Sequence, residues 1–317
     1  MRIIKPSFEI WDQEEGLEGV YKQIERAGRV CYKSEDKITE GSAKEFVERM
    51  IKSGHGAMIE HGTVYLRIPY GTMDDAGEFS NEHIVARYMD NPYSIVNGNI
   101  EDDYWYVTSN YRVIIENGWL GDLKHLCEPI EYHEKRITVK FICDRGVSHE
   151  FVRHRVFSFA QESTRYCNYS KDKFNNECTF IIPSWLNDFP ECIIRDSIGG
   201  HMYPSDYYRE NLDGSFRGNV IFMTHTKYLI DSLFQAEKSY NNLISSGWKP
   251  QQARAVLPNS LKTELVMTGF ASDWEHFFKL RNAGSAHPQA RELAHPLHME
   301  FLRRGYITNL YDIANPD

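Results

Sequence analysis

No run in this 317-residue chain approaches the roughly 18 apolar residues of a membrane-spanning helix, so no membrane partner is expected. The opening stretch, MRIIKPSFEIWDQEEG, turns polar and acidic before a secretory apolar core can form, which makes a cytoplasmic location the expectation. Paired cysteines are missing too. Cys31, Cys127, Cys143, Cys167, Cys178 and Cys192 are scattered, no C-x-x-C occurs, and a chain of this length needs no disulfide framework, so they read as free thiols. His295 and His298 come without H-E-x-x-H or a Cys/His cluster, and no metal is expected. The absence of G-x-G-x-x-G after a strand disfavours a dinucleotide-binding dehydrogenase, and the absence of G-x-x-x-x-G-K-S/T disfavours a P-loop enzyme.

What is present is an ordinary globular composition with an acidic balance. The chain is 41% hydrophobic, enough for a large core, and carries 36 Lys+Arg against 45 Asp+Glu. The net charge of -9 opposes loose attraction to nucleic acid, so an anionic ligand needs a local basic site.

The pattern of elements is mixed α/β, read as one domain over 1–317 with a central sheet flanked by helices and insertions at about 71–129 and 184–218. A strand is expected from Ile3 to Trp11, helices over Leu17–Val30 and Ser42–Lys52, and strands over Thr63–Tyr70 and Ile137–Cys143 that pair in one sheet. The first insertion has strand and helix content of its own, and the second has the punctuation of a long loop. Apolar residues from Leu229 to Ile244 recur at helical period within a helix over Thr224–Ser246. Pro250 suits the first turn of a short helix that Pro258 ends. Ser272 and Glu275 form a capping box for the helix bearing Phe277, Phe278 and Arg281, and Pro296 predicts a kink or break in a last helix over about Gln289–Arg304.

The most informative stretch is HEFVRHRVFSFAQESTRYCNYS, His149 to Ser170. Arg153, Arg155, Arg165 and His154 stand there beside two acids, Glu150 and Glu162, a basic island on an acidic chain. If its start is helical, Glu150, Arg153 and His154 share one face, while Arg155 lies about 200° round from Arg153. The two guanidinium groups then serve two ligands. Arginine suits phosphate because its planar fork of donors binds bidentately and stays charged.

Arg153-His154-Arg155, with Ser158, Ser163, Arg165 and Tyr166 at their spacings, resembles the RHRxxSxxxxSxRY pattern of the flavin-dependent thymidylate synthases. HGAMIEH at His55–His61, ARAVLP at Ala253–Pro258 and the stretch WEHFFKLRNAGSAHPQARELA from Trp274 resemble further blocks of that family, in the same order. The resemblance implies that FAD is held by His55, Ala57, Glu60, His61, Arg153, His154, Arg155, Gln161, Phe270, Ala271, Ser272 and His276. It implies a dUMP site of Glu150, Arg153, Gln161, Glu162, Ser163, Thr164, Arg165, Arg254 and Arg281, with Ser163, Arg165 and Arg254 on the phosphate. Arg281 takes the catalytic place, contacting the pyrimidine and favouring its ionised form. The implied reaction methylates dUMP to dTMP with methylenetetrahydrofolate as carbon donor and NADPH-reduced FAD as hydride source, in a homotetramer with shared sites.

The chain departs from the family pattern at Ala160-Gln161, where Asn-Glu is common, at Glu150, where some members have Gln, and at Ala57, where a small hydroxyl residue is expected. Two rival readings are a flavin- and nucleotide-binding protein without turnover, and a nucleic-acid-binding protein. The acidic charge and the lack of any recognised nucleic-acid-binding motif oppose the second.

Overall fold

Pro6 decides the first event in the fold. Proline has no N–H for a ladder, and the stretch expected to be one strand is two: β1 (Arg2–Ile4) and β2 (Ser7–Trp11), which enter different sheets. The computed structural model describes residues 1–73, 77, 79–99, 101–186, 188–196, 207–215, 217–220 and 224–308. After β2 come α1 (Gly16–Tyr32), α2 (Ser42–Lys52), α3 (Gly56–Ile59), β3 (Thr63–Pro69), α4 (Glu82–Met89), β4 (Ile95–Asn99), β5 (Tyr104–Asn110) and α5 (Tyr111–Glu116). The chain continues through β6 (Arg136–Asp144), α6 (Arg145–Phe151), β7 (Ser158–Gln161), β8 (Thr179–Ile181), β9 (Cys192–Asp196), β10 (Tyr207–Glu210) and β11 (Arg217–Val220). It ends with α7 (Thr224–Ser245), α8 (Pro250–Ala253), β12 (Lys262–Phe270), α9 (Ala271–Arg281) and α10 (Pro288–Arg303). The class is mixed α/β, with sheets ordered β2-β6-β12-β7, β11-β10-β9-β1-β8 and β3-β5-β4.

The four-stranded sheet carries the site. Its central strand β12 is buried along nearly its whole length, because both faces are covered. On one face Phe141, Phe151, Trp274, Phe277 and Phe301 from β6, α6, α9 and α10 form an aromatic core. Phe151 and Phe277 meet edge to face with centroids 5.0 Å apart. On the other face α1 lays Ala27 and Val30 against Trp11, Ala160 and Val266. Gly269 is required where it stands, since a Cβ there would lie 2.6 Å from the Phe157 ring.

Several expectations are corrected. Thr63–Pro69 and Arg136–Asp144 do not share a sheet: β3 pairs with β5, which also pairs with β4, both from the intervening segment. Partners near in sequence need less loop closure, and they win. The described part of 71–129 therefore supplies β4 and β5, which with β3 form a sheet over a core with α1, α2, α4 and α5. The described part of 184–218 is not a plain loop, because β9 joins β1 and pairs with β10, and β10 with β11. Ser272 and Glu275 do not cap α9. The Phe270 N–H donates to the Asp273 carboxylate at 3.1 Å, and the Ser272 N–H to Glu134 at 3.0 Å. Pro296 sits inside one continuous helix, Pro288–Arg303, without ending it. QQARAVL is helical only over Pro250–Ala253, then tightens to a 3-10 turn over Arg254–Val256.

Among the described residues no helix is long and apolar enough to cross a membrane. The six cysteines are free thiols. His295 and His298 both reach Asn282, at 3.1 and 3.0 Å.

Candidate active site

The basic island hangs between α6 and β7. The Asp144 carboxylate accepts from the Val147 N–H at 2.8 Å and starts α6, which stops at Phe151. The Arg153 and His154 N–H groups close the next turn onto the carbonyls of Glu150 and Phe151. Arg153-His154-Arg155 is therefore a turn beyond the helix, and the shared helical face expected for it does not extend so far. Arg153 and Arg155 point to solvent and His154 is buried.

Arg281, at the end of α9, closes on this turn. Its Nε donates to His154 Nε2 at 3.0 Å, its Nη1 to Glu150 Oε2 at 2.8 Å and its Nη2 to the Glu150 carbonyl at 2.8 Å. An arginine has five N–H donors, so one proton on each Nη is left for a ligand. For His154 to accept this bond it must be neutral at Nε2. Burial, reinforced by the charges of Arg281 and His276, lowers its pKa to about 4. Glu150, Arg281, His154 and the neighbouring ring of His276 thus form one group.

A second group lies at the other end of β7. The Ser163 N–H donates to the Cys31 carbonyl at 3.0 Å, and Ser163 Oγ accepts from the Arg165 N–H at 3.2 Å. Arg254 Nη1 donates to Thr164 Oγ1 at 3.1 Å. Arg165 is exposed, with the Tyr166 ring 5.2 Å from its guanidinium. Glu162 points the other way. It is 2% exposed and accepts from Lys262 Nζ at 2.7 Å and from the Tyr169 hydroxyl at 3.1 Å. Glu264 completes the buried cluster with Lys33, Lys140 and Lys262. Burial acts to raise its pKa, but the three ammonium groups hold it well below the usual carboxylate range. Gln161 is likewise engaged, donating to Ser148 Oγ at 2.8 Å and Thr263 Oγ1 at 3.2 Å.

The third feature is a cavity of about 700 Å³ whose wall includes Glu60, Arg155, Phe270 and Ser272, together with Tyr93, Arg112 and Arg136. Segment 71–129 therefore supplies part of the wall. The other residues expected around FAD are spread out. His55 and Ala57 are exposed on and before α3, and Ala271 is buried in the first turn of α9. His61 is fully buried, its Nδ1 2.7 Å from Thr268 Oγ1, and burial with the charge of Arg136 lowers its pKa to about 3. It is a neutral core histidine here and does not line the cavity. The cavity suits an anionic dinucleotide: aromatic walls, ample volume, and in Arg155 a cation with no carboxylate partner among the described residues. Sequence reasoning missed Arg112, Arg136 and the Lys33–Lys140–Lys262 cluster, because isolated charges inside strand and helix patterns carry no spacing signal.

The model of the thymidylate synthase complementing protein family matches residues 126–303, more than half of the chain. A flavin-dependent thymidylate synthase of Corynebacterium aurimucosum is 23% identical over 286 residues, covering 90% of this chain and 76% of the relative. One from Corynebacterium efficiens is 31% identical over 177 residues, 54% of this chain and 61% of the relative. The crystal structure of a UMP/dUMP methylase PolB from Streptomyces cacaoi bound with 5-Br dUMP covers 96% of this chain and 93% of that one. It is 15% identical, with a TM-score of 0.41. The matched region holds the R-H-R turn, the Ser163–Arg165 loop, Arg254 and Arg281, and on that match the chain belongs to the thymidylate synthase complementing protein family.

Proposed function

We propose that this protein is a flavin-dependent thymidylate synthase, methylating dUMP to dTMP with methylenetetrahydrofolate as carbon donor and NADPH as reductant. The observation that carries the reading is the clamp on Arg281, which leaves a fixed, charged guanidinium with two free protons at the R-H-R turn. A cation so fixed lowers the energy of negative charge developing on a uracil ring, with no reorganisation at the moment of reaction. FAD, when bound, supplies the redox chemistry.

The chain's own residues bind and orient. Ser163, Arg165 and Arg254 grip the nucleotide phosphate, and the Arg254–Thr164 bond presets the loop. Arg155, with Glu60, Phe270 and Ser272 around the large cavity, holds the flavin. His154 holds Arg281 in register and, being neutral, adds no competing charge. Glu162 acts from below the loop through Lys262.

The active molecule is a homotetramer with sites shared between copies. In one chain His55 and Ala57 are exposed and do not line the large cavity, which supports completion of the site by a neighbour.

Purified protein is expected to bind FAD, and the flavin absorbance is expected to change when dUMP is added. Bound FAD with a spectrum indifferent to saturating dUMP would count against a common site.

A further inference from the structure

Arg136 opens β6 opposite Phe270 of β12 and lies on the wall of the cavity that also receives Arg155. Its Nη1 donates to the Glu60 carbonyl at 2.7 Å and Thr63 Oγ1 at 3.4 Å, and its Nη2 to Ser158 Oγ at 2.8 Å. Every one of these acceptors is neutral. The two acids nearest on the cavity wall are engaged elsewhere: Glu60 with Arg112 at 2.5 Å, and Asp273 with the Phe270 N–H at 3.1 Å. Burial lowers the Arg136 pKa to about 10, so it remains a cation at neutral pH. A half-buried cation held only by neutral acceptors costs stability unless something anionic meets it, and such uncompensated charge marks functional sites. The Nε–H and one Nη2 proton have no partner among the described residues, and donors of this kind make a bidentate fork on phosphate.

We propose that Arg136 is a cofactor-binding residue, receiving with Arg155 the diphosphate of the flavin dinucleotide. This rests on the reading of the cavity as the flavin site. Nothing in the R-H-R pattern or its flanking blocks includes residue 136, and its position is set by the pairing of β6 with β12, which puts it opposite Phe270 on the cavity wall. Arg136 is rigid where Arg155 is free: three bonds fix one side of the fork before any ligand arrives, so less entropy is lost on binding.

The test uses apoprotein and two probes, FAD and riboflavin, which share the ring system, FAD adding the diphosphate and an adenosine; the salt dependence of binding separates the phosphate from the adenosine. In Arg136→Met the FAD dissociation constant is expected to rise about 10- to 100-fold, while that for riboflavin moves less than about threefold. The salt dependence of FAD binding is expected to weaken in the same variant. Equal losses for both probes would mean that Arg136 only shapes the cavity, and an unchanged FAD affinity would mean that it touches no phosphate; either overturns the proposal. A Michaelis constant for NADPH that rises while FAD binding is untouched also overturns it, by assigning the fork to the other dinucleotide. If Arg136→Met does not fold, Arg136→Lys decides, since it keeps the charge and loses the fork: FAD affinity falls by severalfold and riboflavin affinity holds. Failure of the wild-type protein to bind FAD at all removes the reading of the cavity together with the proposal.

Discussion

At the scale of single residues the proposed chemistry rests on Arg281, fixed by His154 and Glu150. Lysine in its place keeps a charge but cannot offer three directed donors plus two free protons, so Arg281→Lys is expected to lower kcat by about 100-fold or more while bound FAD is unchanged. Steady-state kinetics with flavin content measured on the same samples checks this. Glu150 is half-buried and ion-paired to Arg281, so its carboxylate partly offsets the charge presented to a ligand. The histidines set a pH limit. His61 has a folded pKa of about 3 against an ordinary value near 6.5, so the unfolded chain binds the extra proton between those values and stability falls as pH drops through that window. His154, at about 4, acts in the same direction over the upper part of it. Chemical denaturation from pH 7 to pH 4 is expected to show this loss. The His61→Gln variant should flatten the slope by up to about 1.4 kcal/mol per pH unit, and an equally steep slope in that variant would assign the effect to other groups.

At the scale of elements, helices with a strong apolar stripe were legible and strand partners were not. Ser42–Lys52 is α2 to the residue, and the stripe from Leu229 to Ile244 lies in α7. These patterns are local, repeating every three or four residues. The pairing of β3 with β5 rather than β6, and the joining of β1 to β8 and β9, depend on contacts far along the chain that no window of sequence contains. Ser272 failed as a cap because the helix begins two residues earlier than that cap implies, at Ala271, with Phe270 as N-cap and Asp273 placed to accept from its N–H. α6 is the element on which the site depends. Its Asp144 cap is buried, and its other carboxylate oxygen accepts from Gln289 at 2.8 Å. Asp144→Ala is expected to cost about 1–2 kcal/mol, seen as a lowered Tm, and to raise the Michaelis constant for dUMP by displacing the turn that follows. Trp274 fills the aromatic core beside Phe277 and is fully buried, so Trp274→Ala is expected to cost about 3–5 kcal/mol.

The whole chain carries a net charge of -9 with a basic island over residues 149–170, so anion binding is expected at local basic sites. That region was legible in sequence because the R-H-R spacing is dense and specific. Its geometry was not, since Arg281 reaches Glu150 across about 130 residues of chain and Glu162 turns inward where the pattern suggested a ligand contact. A site divided among copies predicts complementation. Inactive Arg254→Ala and Arg153→Ala proteins, mixed under conditions that exchange subunits, should recover part of the wild-type rate, and an active monomer in analytical ultracentrifugation would refute the shared site. The most direct measurement is release of tritium from C5-tritiated dUMP by purified protein with FAD, NADPH and methylenetetrahydrofolate, set beside Arg281→Ala. A methyl group on C5 must displace that hydrogen, so release that requires all three and falls sharply in Arg281→Ala is the expected result. No release from protein that holds both FAD and dUMP would contradict the synthase reading and leave a protein that binds the same ligands without turning them over.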